Sequence, residues 1–150
     1  MDRYFGKHSE PLRAPVDDET AAYIVEARRQ FEDLRQVSAQ LAGLMVLAAA
    51  GSGCAGPHHP MLTSARRLHG EASDGVERAR VPERARRHHW YLLAAAKALE
   101  DALEAAQSGL AIDPVLIPLR AAYGELQRAS NELPGFPMIA FEQGCCGNKL

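Results

Sequence analysis

The chain has 150 residues, 47% apolar and 24% charged, with a formal net charge of −2. That is long enough for one domain with its own core, too balanced for a low-complexity or collagen-like chain, and too near neutral for a general pull toward nucleic acid or anionic membranes. Three cysteines, Cys54, Cys145 and Cys146, are too few and too oddly placed for a secreted disulfide framework.

The opening MDRYFGKHSE lacks the basic region and apolar core of a signal peptide, so the expected location is the cytoplasm. Residues 1–16 hold Pro11 and Pro15 and show no hydrophobic period, which predicts a loose arm. Asp17 or Asp18 can cap a first helix whose first turn also holds Glu19. Ile24, Ala27, Phe31, Leu34, Leu41, Met45 and Ala48 then recur at three- and four-residue steps, with Ser38 in the gap and Val37 and Leu44 widening the stripe. This first helix is expected to be ~50 Å long, longer than the other three. The run Leu41 to Ala50 before Gly51-Ser52-Gly53-Cys54 imitates a lipoprotein cleavage site. It follows a long charged stretch, however, and is much shorter than the ~20 residues of a membrane span.

Residues 51–59 read as a loop, and Pro60 opens a second helix with Met61, Leu62, Ala65, Leu68, Ala72, Val76 and Ala79 inward. Its end is open between 73 and 82, because Asp74-Gly75 is a turn signal while Val81-Pro82 marks an equally good break. The third helix runs from Pro82 to Gln107. Its stripe of Ala85, Leu92, Ala96, Leu99, Leu103 and Ala106 has a vacant step that His89 fills, beside His88, Trp90 and Tyr91. Asp113-Pro114 is expected to cap and open a fourth helix, with Leu116, Leu119, Tyr123, Leu126, Ser130 and Leu133 inward and Pro118 bending its start. Pro134-Gly135 ends it. The tail from 134 to 150 carries Phe136, Met138, Ile139 and Phe141, an apolar run expected to lie over the bundle or on a partner.

Four amphipathic helices with short connections predict an all-α, antiparallel, up-down-up-down four-helix bundle over residues 17–133, with a long first helix and a non-helical C-terminal tail. Its alanine-rich seams allow close helix approach but leave little apolar volume, so the tail or a second copy would complete the core. A homodimer through the first helix is the expected assembly.

The sequence has no Glu-x-x-His pair, Cys-x-x-Cys-His, P-loop, Gly-x-Ser-x-Gly or His-Glu-x-x-His. What remains is three constellations. His69 and His89, on antiparallel helices, fall within ~10 Å of the same height. They could bind a transition metal or haem iron, with Glu26 or Glu125 as further ligands, or they could be ordinary core-edge residues. Cys145-Cys146 with Cys54, His58 and His59 offers soft-metal or redox chemistry if the tail reaches the loop, and is otherwise a mobile end. Between Arg66 and His89 seven arginines stand against four acids. That patch suits an anion near a helix N-terminus, yet it is a solvated face in most proteins, and it lacks the aromatic interleaving of nucleic-acid binders. No spacing marks a catalytic triad. The expectation is a non-catalytic interaction or small-ligand-binding bundle. Its groove would lie near His69, His89, Trp90 and Phe136 to Phe141, closed by the tail. The alternative is a metal- or haem-binding redox or sensor bundle.

Overall fold

A computed structural model describes residues 15–51, 56–109 and 111–138. Among them there are four helices and no strands: α1 (Asp18–Ala49), α2 (Pro60–Arg78), α3 (Arg86–Ser108) and α4 (Ile112–Glu132), with one 3-10 turn at Glu83–Ala85 ahead of α3. Consecutive helices pack side by side, α4 closes against α1, and α1 touches α3 across the diagonal. This is the antiparallel bundle that the short connections require.

The long α1, 32 residues or ~48 Å, starts where Asp17 accepts a hydrogen bond from the Thr20 backbone N–H at 2.7 Å. The Thr20 side chain and backbone together, with Arg84 nearby, hold the Asp17 carboxyl below its ordinary pKa. α2 is capped less usually. His59 Nδ1 accepts from the Met61 N–H at 3.1 Å, and Pro60 takes the first helical position, where no donor is needed.

Gly75 does not turn the chain. α2 continues to Arg78, and the link to α3 is Ala79–Pro82, the later of the two breaks. The glycine is there because α1 passes close by: a Cβ at position 75 would lie 2.6 Å from Gln30 Nε2 and 2.8 Å from its Cγ.

The core is built from Phe31, Leu34, Leu41, Leu62, Leu92, Leu99 and Leu126, interleaved with buried alanines. Those alanines decide the registers of α3 and α4, the most intimately packed pair. On α4 the buried set is Val115, Leu119, Ala122, Leu126 and Ala129, followed by Leu133. The expected inward residues Leu116, Tyr123 and Ser130 therefore sit at the margin, and Tyr123 is 53% exposed. Helices that approach through small side chains leave no room for a tyrosine ring. The start of α4 is corrected too. Ala111 holds the cap position without a side-chain bond, Asp113 lies inside the first turn, and Pro118 falls within the helix.

α3 shows the same kind of one-residue correction. His88, not His89, is the fully buried residue. Both positions fit the helical step between Ala85 and Leu92, so periodicity alone had no means of choosing between them.

After α4 the chain turns at Gly135, whose φ of +95° favours glycine and which lies beside Ile24. That turn drives Phe136 into the core. The tail thus does lie back on the bundle as far as it is described. Among the described residues no helix is long and apolar enough to cross a membrane.

Candidate functional site

The expected site residues do not converge. His69 and His89 both sit on the α2/α3 seam, where each donates Nε2–H to a backbone carbonyl of the facing helix: His69 to Ala96 and His89 to Val76, both at 2.8 Å. Each histidine is thus level with the other's partner, and the two stand seven residues apart on either helix, ~10 Å. Zinc–imidazole bonds are ~2.0–2.1 Å, so one ion cannot span that separation. Ser73 Oγ lies 3.2 Å from His69 Nε2, which resembles a nucleophile beside its base. That nitrogen already gives its proton to Ala96, so it has no lone pair with which to accept the serine proton. Glu26 lines the small recess beside His89, whereas Glu125 ion-pairs with Arg128 on its own helix.

Trp90 is 60% exposed and, among the described aromatic rings, meets only Tyr91, edge-on. His58 is exposed and His59 serves as the α2 cap. Cys54, Phe141, Cys145 and Cys146 lie outside the described residues. Among those described, no group of three or more His, Cys, Asp or Glu side chains is arranged to hold a metal ion.

The histidine that the stripe passed over is the most unusual residue of the bundle. His88 is fully buried, with Nδ1 2.8 Å from the Tyr23 hydroxyl and its ring against Phe136 at a centroid distance of 4.1 Å. Phe136 in turn meets Phe31 edge-on at 5.4 Å. Burial, assisted by the neighbouring His89, pushes the His88 pKa down to about 4, and burial raises that of Tyr23. Both groups are neutral at pH 7. Nε2 of His88 has no partner. If Tyr23 O–H donates to Nδ1, the orphan is one N–H; the reverse arrangement orphans both the tyrosine proton and the Nε2 lone pair. The first leaves fewer buried polar groups unpaired, so tyrosine is the donor. This cluster clamps the tail to α1 and α3. The Tyr23, His88 and Phe136 rings are almost wholly buried.

An open concavity lies elsewhere, between α1 and α4. It measures about 560 Å³ and is floored by Ser38, Leu119 and Leu126 and walled by Ala39, Ala42, Leu116 and Tyr123. Its origin is steric. Ala39 and Ala42 on one helix and Gly124 on the other present almost no side chain across a pair that packs less closely than α3 with α4. Two guanidinium groups edge it. Arg35 is held by Glu32 through Nη2 at 2.7 Å and Nε at 3.2 Å, and exposed Arg120 has no ion pair among the described residues. Met138, the last described residue of the tail, lies at the margin. The sequence signal for this groove was present as the small residues at 39, 42 and 124. They are outside the core stripes, and only the α1/α4 spacing turns them into a cavity.

Comparison with protein-family models, with curated proteins and with solved structures finds no match to this chain.

Proposed function

We propose that this protein is a non-catalytic binding module, cytoplasmic, whose α1/α4 groove takes a small apolar ligand or the apolar side chains of a partner. The observation that carries the reading is the composition of the lining. Among the described residues that line it, the groove is apolar across its floor and walls, polar only at Arg35, Ser38, Arg120 and Tyr123, and without His, Cys, Asp or Glu. Such a surface can hold a hydrophobic group and orient it by charge. Its described residues include no group suited to take or give a proton at neutral pH, and no activated nucleophile. Its volume falls in the ~300–1,000 Å³ range of small-molecule sites. A homodimer through α1 belongs to the same proposal and is supported by exposed Val46 and Leu47 near the end of that helix; sedimentation velocity over a concentration series tests it.

The groove is tested with the neutral fluorophore N-phenyl-1-naphthylamine, titrated into the full-length chain. Saturable enhancement is expected. It should be abolished by Ala42→Trp, which fills the groove from an exposed position, and kept by Val25→Trp, which lies outside the groove. Equal binding by both variants would remove the groove from consideration.

A further inference from the structure

We propose that the α1/α4 groove takes an anionic amphiphile, a single apolar chain of about eight carbons ending in one carboxylate. The carboxylate sits on the Arg120 guanidinium and the chain lies along the Ala39/Ala42 wall. The inference rests on the reading of the groove as a binding surface and names the class of ligand it takes.

Charge selects the head. The chain as a whole carries −2, so any pull on an anion must be local. Among the described residues that line the groove, the charges are two arginines and no acid. The two are not equivalent. Arg35 is held by Glu32 through two nitrogens, so its charge is already answered. Arg120 is exposed and has no ion pair among the described residues, which leaves its fork of donors for an outside anion. Tyr123 lines the groove one turn further along α4 and adds a hydroxyl on the same face. A second copy seated groove to groove would set arginine against arginine, so the charges that suit an anionic ligand disfavour a twofold contact here.

Length selects the body. From Arg120 the lining continues along α4 through Tyr123 and Gly124 to Leu126, six residues or ~9 Å. An extended chain advances ~1.2 Å per bond, a third of the rise of an extended residue, so about seven bonds fill that distance. Because α1 runs antiparallel to α4, Arg35 stands at the Leu126 end and Ala39 and Ala42 flank the path. The far end of the ligand therefore meets a guanidinium that is already paired, which matches one carboxylate rather than two. Each methylene that leaves water for the apolar walls should tighten binding by roughly fourfold, up to the length at which the groove ends.

The test uses the full-length chain with alanine methyl groups labelled for NMR, titrated with octanoate and with octanamide, which share a chain and differ in charge. Octanoate is expected to shift the Ala39 and Ala42 methyl signals saturably. It should bind about fivefold more tightly than octanamide at low salt, with the advantage shrinking as salt is raised. Arg120→Gln should bring octanoate down to the level of octanamide, whose own binding reports on the groove in both proteins. Arg67→Gln, at an exposed position of α2, should leave the difference between the two probes as it is. Affinity should climb from butanoate to octanoate and level off at decanoate. Equal binding of octanoate and octanamide, or an advantage that survives Arg120→Gln, would overturn the anionic ligand; with N-phenyl-1-naphthylamine still bound, the groove reading would stand. Shifts of the two methyls that follow protein concentration alone, with none on adding octanoate, would also overturn it and place a second copy there. Failure of all three probes to bind would sink this inference and the groove reading together.

Discussion

Lowering the pH should unfold this protein through His88, and the size of the effect follows from its surroundings. The imidazole is sealed by Tyr23, Phe136 and its own helix, and its pKa in the folded chain is about 4 against the ordinary 6.5. Because the folded value is the lower one, the unfolded chain binds more protons between pH 6.5 and 4. Stability is therefore complete above about pH 6.5 and is lost as pH falls through that window, at ~1.4 kcal/mol per pH unit, or about 3 kcal/mol in all. That is a large share of the ~5–15 kcal/mol that holds a domain of this size. The assay is urea unfolding followed by circular dichroism at half-unit steps from pH 7.5 to 4, for wild type and His88→Phe. The variant keeps an aromatic ring in the site but cannot titrate. Other carboxylates and histidines contribute alike to both proteins, so the difference between the two curves isolates His88. It should be flat above pH 6.5 and slope below it. Parallel curves throughout, or an NMR titration in which the His88 ring protonates near pH 6.5, would refute the argument.

Phe136→Ala should cost about 3–5 kcal/mol in urea unfolding, because it empties a core site shared by Phe31 and His88; a loss under 1 kcal/mol would mean the tail is not part of the core. Two glycines on α2 should respond oppositely to alanine. Gly70→Ala meets nothing within 4 Å and should stabilise by up to ~1 kcal/mol through helix propensity, whereas Gly75→Ala drives a methyl into Gln30 and should destabilise by about 1–2 kcal/mol. Similar shifts in melting temperature for both would contradict the close approach of α1 and α2. His69→Ala and His89→Ala should each lose about 1 kcal/mol as one carbonyl hydrogen bond goes, and the double variant should lose the sum, because the two sites are too far apart to couple. Strong non-additivity would indicate a shared ligand.

The helix count, the long α1, the inward faces of α1 and α2 and the turn at Pro134-Gly135 were legible in the sequence, because each rests on local chemistry: a capping aspartate, a proline at a first turn, apolar residues at helical steps. Legibility failed at one-residue resolution. Steps of three and four let His88 and His89, or Ala122 and Tyr123, serve the same stripe equally well. The choice fell to the close alanine contact of α3 with α4 and to the hydroxyl of Tyr23, which is 65 residues from His88 in the chain. Gly75 was misleading for a related reason: a glycine needed for a neighbour's approach looks, from within its own segment, like one needed for a turn. The groove lies at the far end of that scale. Ala39, Ala42 and Gly124 are inconspicuous along the chain, and it takes the spacing of two helices whose facing residues lie more than eighty positions apart to make an opening of them. Local sequence determined which segments are helical and roughly which way they face; packing between distant segments decided which histidine is buried and where the protein is open.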